Sequence, residues 1–360
     1  MGFAALEGHA MTRFASIARA SSIWAFFVCC SWTLCASDGR PEPTAVSSRV
    51  IVVVGAAGDE DFSTNFVHQA DLWEKAGKQA HGSVSVIGLI KDSATNDCEI
   101  LRQALENEPK ESSTDLWLVL IGHGTFDGKE ARFNLRGPDV SATDLAAWLK
   151  PFRRRMAIID TSSCSAPFLN KLSATNRVVI TATRSGNEQN FARFGRYLAE
   201  AIDDLASDLD KDGQVSLLEA FLMASRRVAE FYKIEGRLAS EHALLDDNGD
   251  GLGTQADWFE GLRAVKKPKE QAASDGLLAQ QLHLGQTKEN LSAELQLQRD
   301  TLEHEVLLHR EKKGKMPEDQ YYLELEALLM KLARFYETNA MSSVQPTEGQ
   351  KPEESAPDTK

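Results

Sequence analysis

Asp208, Asp210 and Asp212 alternate in DLDKDGQVSLLE, followed at once by Gly213 and closed by Glu219. A hard divalent cation takes oxygen ligands only, about six to eight of them, and a twelve-residue loop can supply the set from positions 1, 3, 5, 7, 9 and 12. Here these are the Asp208, Asp210 and Asp212 carboxylates, the Gln214 carbonyl, Ser216 directly or through water, and both oxygens of Glu219. Gly213 permits the sharp turn that such a loop needs at position 6. The chemistry expected is Ca²⁺ binding. A second run, DDNGDGLGTQAD, repeats the spacing with Asp246, Asn248 and Asp250, then Gly251, the Leu252 carbonyl, Thr254 and a closing Asp257. Asp257 is shorter than Glu and Gly253 replaces the apolar residue at position 8, so lower affinity is expected there.

A different chemistry is suggested by LVLIGHGT and AIIDTSSCS. The first places His123 between Gly122 and Gly124 after an apolar run, and the second places Ser162, Ser163 and Cys164 after another. An uncrowded imidazole beside a free backbone N–H has the makings of a general base next to an oxyanion hole, and a serine or cysteine nearby would be the nucleophile. In open α/β sheets such groups gather at the carboxyl ends of strands.

Short β-branched runs alternate with amphipathic stretches in the way those positions require. Strands are expected at VIVVVGAAG, SVSVIGLI, DLWLVLIGHG, MAIIDTSSCSA and RVVITATRSG, with helices over 62–79, 97–107 and 142–149 and an irregular stretch over 129–139. Continuous apolar strands buried on both faces point to a mainly parallel sheet inside a three-layer α/β sandwich. From Phe194 the pattern becomes helix, acidic loop, helix and acidic loop, which reads as a second module over 206–262. Two helical stretches, 274–312 and 317–338, separated by KKGKMP, predict a C-terminal hairpin; partial heptad character (Leu291, Leu295, Leu302, Leu308) leaves a coiled-coil dimer as the other reading.

The first acidic loop, with helices expected on both sides, resembles the EF-hand. The strand-end segments resemble the caspase and legumain group of cysteine peptidases, in which one strand ends in His-Gly and a later one in Ala-Cys. The resemblance covers roughly 49–205 and implies an endopeptidase with His123 as acid/base residue, the Gly124 amide as oxyanion donor and Cys164 as nucleophile. Legumain-type sequences read I-E-A-C-E-S-G; laid on IIDTSSCSA without a gap, that pattern puts Ser162 at the nucleophile position and Cys164 two residues late. Two functions therefore stay open, a cysteine-type endopeptidase acting on peptide or protein substrates and a degenerate peptidase-fold scaffold or binding protein stabilised by calcium.

Fifty-three acidic against 40 basic residues, a net charge of −13, argue against phosphate-backbone binding, so nucleic acid is not an expected partner. Arg13 and Arg19, the apolar run IWAFFVCCSWTL and the small Ala36 and Ser37 read as an export signal over 1–36, with Met11 as an alternative start. Export to the periplasm or the extracellular space is expected, without a stable membrane span; anchoring by an uncleaved segment is the lesser alternative, since the run is shorter than the ~20 residues a span needs. Removal of the segment takes Cys29, Cys30 and Cys35 with it and leaves Cys98 and Cys164. The Gly55–Gly58 turn lacks the G-x-G-x-x-G spacing, which excludes a dinucleotide fingerprint. The tail over 341–360 is rich in Pro, Glu, Ser and Thr and is expected to be disordered.

Overall fold

The computed structural model describes residues 48–89, 96–269, 273–285 and 292–340. The export segment, its three cysteines and the expected tail lie outside the described residues.

Five parallel strands form the centre: β1 (Ser48–Val54), β2 (Ser83–Ile87), β3 (Asp115–Ile121), and, after the short β4 (Gly124–Phe126), β5 (Ala131–Phe133) and β6 (Val140–Ser141), β7 (Met156–Asp160) and β8 (Arg177–Thr181). Two further strands, β9 (Leu244–Asp246) and β10 (Thr254–Gln255), add antiparallel to the β8 edge, giving the order β10-β9-β8-β7-β3-β1-β2. The alternation along β1 shows why its sequence is unbroken apolar. Val50, Val52 and Val54 enter one core and Ile51 and Val53 the other, so neither face meets water.

The helices covering these faces are α1 (Glu60–Gln79), α2 (Asp97–Asn107), α3 (Ala142–Leu149), α4 (Ala166–Leu172), α5 (Phe194–Ala201) and α6 (Leu217–Ile234). On the first face α1, α5 and α6 bury Phe66, Trp73, Phe194, Leu198 and Phe221. On the second, α2, α3 and α4 bury Leu101, Leu105, Leu145, Leu149, Phe168 and Leu172. Local chemistry fixes the helix starts: the side chains of Asp59, Asn96 and Ser141 accept the orphan amides of Phe62, Glu99 and Asp144, as N-caps do.

Three expectations are corrected. The stretch 129–139 is not wholly irregular, because it carries β5, which with β4 and β6 forms a small antiparallel sheet directly after the His123 turn. Residues 206–262 do not stand apart as a module. Val215, Leu217, Leu218 and Phe221 enter the same core as β1 and β3, and β9 belongs to the main sheet. Among the described residues of the first C-terminal arm, the α-helix is α7 (Ala293–Arg310) and residues 274–285 are not α-helical; α8 (Glu318–Ala340) packs against α7. Before α7, Gly276 and Gly285 take φ of 104° and 105°, a region glycine occupies without a Cβ clash, and the chain between them is an extended and 3₁₀ segment. Among the described residues no helix is long and apolar enough to cross a membrane.

Candidate functional sites

β3 and β7 are neighbours with Leu120 opposite Asp160, so the segments that follow them leave the sheet side by side. Thr161 fastens the pair, its amide and hydroxyl both donating to the Leu120 carbonyl at 3.0 and 2.9 Å. The contact next to it explains Gly124. A Cβ there would lie 2.1 Å from the Ser163 carbonyl oxygen and 2.8 Å from Ser162 Oγ, so the two strand ends close on one another only because residue 124 has no side chain. Gly124→Ala is accordingly expected to destabilise the fold by about 2–3 kcal/mol, as overpacking of a fixed backbone does, measurable as a lowered urea midpoint at unchanged slope.

The half-buried His123 ring sits edge-on to Phe62 and Phe66, with centroids 4.6 and 5.2 Å away, and Phe191 lies at 6.2 Å. Its Nε2 is 3.1 Å from the Ala57 carbonyl oxygen. A carbonyl can only accept, so Nε2 carries the proton and Nδ1 is left as the basic nitrogen. That tautomer is what a general base needs.

The groups around it are otherwise engaged. The Gly124 amide, expected as the oxyanion donor, donates to Ser163 Oγ at 3.3 Å, and the same hydroxyl lies 3.3 Å from the Gly124 carbonyl as its donor. Ser162 is buried and its hydroxyl donates to Asp160 Oδ1 at 2.6 Å. Cys164 is 1 % exposed, its backbone held at φ 59° while its amide donates to the Glu188 carbonyl at 2.9 Å. Burial, and secondarily the nearby Asp160, pushes the Cys164 thiol up from its ordinary value, which disfavours the thiolate a nucleophile requires. Among the described residues no hydrogen bond joins His123 to Ser162, Ser163 or Cys164. Cys98 and Cys164 are both free thiols.

The acidic loops have a different character. In the loop from Asp208 to Glu219, Asp208 Oδ1 accepts from the Lys211 amide at 2.6 Å and Oδ2 from Gly213 at 3.2 Å, while Asp210 and Asp212 accept the amides two residues on, at 3.3 and 2.9 Å. These bonds fold the chain so that one oxygen each of Asp208, Asp210 and Asp212 lies within 4.8 Å of the others. Gly213 takes φ 92°, the turn expected of it. Glu219 closes the loop: Oε1 accepts from the amides of Leu209 and Asp210 at 2.7 and 3.3 Å, and Oε2 from the Ser216 amide and hydroxyl at 2.8 and 2.9 Å. Ser216 in turn caps α6, completing a capping box.

The loop from Asp246 repeats the bonds accepted by the side chains at positions 1, 3 and 5. Asp246 Oδ1 and Oδ2 accept from Gly249 and Gly251 at 3.1 and 3.0 Å, Asn248 from Asp250 at 2.8 Å, and Asp250 from Leu252 at 2.8 Å. Strand β9 runs into its first residue and β10 lies within it, in place of an α-helix on either side. The closing carboxylate also differs from the one expected. Asp257 is exposed in a 3₁₀ turn, whereas Asp275, from beyond the loop and 3 % exposed, accepts from the amides of Asp247 and Asn248 at 3.1 and 3.3 Å and from the Thr254 hydroxyl at 2.5 Å. Positions 2, 3 and 9 of the second loop thus meet Asp275 as positions 2, 3 and 9 of the first meet Glu219. Spacing alone could not reveal Asp275, because it lies outside the twelve residues.

Gathering carboxylates in this way raises their proton affinity. Burial, reinforced by Glu219, pushes Asp210 up to about 6; burial first, with Asp210 adding, pushes Asp212 to about 6; and burial is the main cause that raises Asp275 to about 8. Each loop is a set of oxygens with the donor chemistry of a Ca²⁺ site; the first also carries Lys211, whose ammonium donates to the Asp208 carbonyl. Asp210, Asp212 and Glu219 also border a cavity of about 460 Å³ that is lined as well by Asp300 and Glu303 of α7 and Tyr336 of α8.

No family model matches the chain, and no curated protein matches it. Among solved structures it is similar to a protein of Geobacter sulfurreducens at 10 % identity and a TM-score of 0.38, over 55 % of this chain and 92 % of that one. It is similar to the Drosophila initiator caspase Dronc at 13 % identity and 0.29, over 48 % and 74 %, and to caspase-1 of Spodoptera frugiperda at 10 % and 0.35, over 58 % and 91 %.

Proposed function

We propose that this is an exported calcium-binding protein whose peptidase-like α/β body is not a working peptidase but a scaffold for a peptide or protein ligand. The observation that carries the calcium reading is the repetition of one hydrogen-bond scheme in two loops, each closed by a buried carboxylate, Glu219 in one and Asp275 in the other. Asp208, Asp210, Asp212, the Gln214 carbonyl and Glu219 would hold one ion; Asp246, Asn248, Asp250, the Leu252 carbonyl and Asp275 the other. Ca²⁺ would supply the charge that lets these carboxylates stay ionised while buried. An exported compartment, rich in calcium, would keep the sites filled, so that the ions serve structure rather than signalling.

The scaffold half of the reading rests on the strand ends. The hydroxyl of Ser162 is committed to Asp160, the Gly124 amide to Ser163, and the Cys164 thiol is buried, which disfavours its thiolate. The opposing reading, a cysteine endopeptidase, is favoured by the His123 tautomer alone. A labelled fluoromethylketone or vinyl-sulfone peptide separates the two. The folded, calcium-loaded protein is expected to show no covalent labelling above a His123→Ala control, and labelling lost on both His123→Ala and Cys164→Ala would make it an enzyme.

A further inference from the structure

Among the described residues no strand pairing joins the two loops to one another, and one segment touches both. Asp275 closes the second loop as described, and the second loop grips the same segment in return. Asp247 Oδ1 accepts the Gly276 amide at 2.9 Å and its Oδ2 accepts those of Leu278 and Ala279 at 2.7 and 2.8 Å, while the Asn248 side-chain amide donates to the Ala273 carbonyl at 3.1 Å. Asp247 is not at a ligand position; both of its oxygens are spent on this segment. A few residues on, the chain reaches the first loop. The Leu217 amide donates to the Leu282 carbonyl at 2.8 Å, and Ser216 forms an antiparallel bridge with His283. Ala279, Leu282 and Leu284 are buried in the core that also holds Val215, Leu217 and Leu218, so the segment is anchored by apolar burial between its two polar grips.

Resting on the calcium reading above, we propose that residues 274–284 are a clasp that couples the two calcium loops, so that filling one raises the affinity of the other. The physical ground is shared ordering. Ion binding in the second loop fixes Asp246, Asn248 and Asp275, and with them the start of the clasp. Ion binding in the first fixes Ser216 and Glu219, and with them the strand edge on which the end of the clasp lies. The conformational entropy of ordering one short segment is then lost once for two ions, and the second ion binds to a loop already closed. Coupling between sites is reciprocal and typically amounts to a factor of about 5–150 in affinity.

Calcium titration calorimetry on the full chain tests this with Ca²⁺ itself as the probe. Disabling the first loop by Asp210→Ala with Asp212→Ala is expected to weaken the second by at least about 5-fold, and disabling the second by Asp246→Ala with Asn248→Ala to weaken the first by the same factor. Asp247→Asn, which removes a grip and no ligand, should bring both factors toward one. Hydrogen exchange on the unmutated chain gives a reading free of folding defects. Protection of the amides at 276, 278 and 279 and of both loops should rise at a single calcium midpoint. Separate midpoints, or loop affinities unchanged by loss of the other loop, would overturn the clasp and leave the calcium reading standing. Absence of any calcium heat and any calcium-dependent protection at millimolar ion would overturn both.

Discussion

Removing calcium with a chelator at pH 7.5 is expected to lower the melting temperature by about 10 °C or more, and restoring the ion to reverse the change. At about one hundred times its dissociation constant a ligand adds about 2.7 kcal/mol per site, and in a domain of about 150–250 residues each kcal/mol is worth about 2–4 °C. Two sites therefore give the figure stated. The argument from structure is that Asp208, Glu219, Asp246 and Asp275 are almost wholly buried, with exposures of 0, 2, 1 and 3 %, and that many of their hydrogen bonds come from neutral amides and hydroxyls. Amides orient a carboxylate but bring no net charge to balance it.

The pH dependence has a definite sign. Asp210 and Asp212 are raised to about 6 and Asp275 to about 8, all above the ordinary carboxylate value, so the calcium-free fold favours their protonated forms. Their contribution to its stability is fully present below about pH 4 and is lost as pH rises to about 6, and to about 8 for Asp275. Calcium requires the ionised forms and removes that penalty. The gap between calcium-loaded and chelated melting temperatures should thus be widest near pH 8 and shrink toward pH 5. Scanning calorimetry at both pH values with 1 mM calcium or excess chelator reads it directly, and coincident melts at pH 7.5 would sink the calcium proposal.

The features readable from sequence are those whose determinants lie close together along the chain. β1 and β3 are unbroken apolar runs because both faces of the sheet are covered, and the Asp208 loop holds all its expected ligands within one turn-sized stretch. The features that escaped it have partners far away. β9 is the three residues LLD, whose strand character comes from pairing with Val179–Thr181 of β8 on one side and with Thr254 and Gln255 of β10 on the other. Asp275 looks like one more acidic residue before a glycine until Asp247, Asn248 and Thr254 are seen around it. Residues 274–292 carry helical composition, yet part of the stretch is drawn into a strand-like run by the Ser216–Leu217 edge. At the strand ends, the motif placed His123 and Gly124 beside Ser162 and Ser163. It carried no information about which hydrogen bonds each hydroxyl would choose.

That choice is governed by Asp160, and replacing it gives the second large effect. Asp160 ends β7 with Leu120 on one side and Thr181 on the other, 1 % exposed. Its Oδ1 accepts from the Ser162 amide and hydroxyl at 3.0 and 2.6 Å, and its buried Oδ2 has no hydrogen-bond partner among the described residues. Burial outweighs the two Ser162 bonds and pushes the carboxyl up to about 6. An acid raised in the fold stabilises it fully below the ordinary value near 4 and loses that contribution as pH climbs through about 6, here a loss of about 3 kcal/mol. Asp160→Asn keeps an oxygen for the Ser162 bonds and cannot ionise. Measured by urea unfolding in saturating calcium, so that the loops hold their charge in both proteins, the variant should gain about 3 kcal/mol on the parent between pH 4 and pH 7.5. A difference that stays constant across that range would mean that Asp160 meets a compensating charge or water, and that Ser162 is held by an ionised partner able to take its proton. The predicted gain instead makes Asp160 and Ser162 a buried pair that closes the β3–β7 strand ends, with the Ser162 hydroxyl used for packing rather than for attack on a substrate.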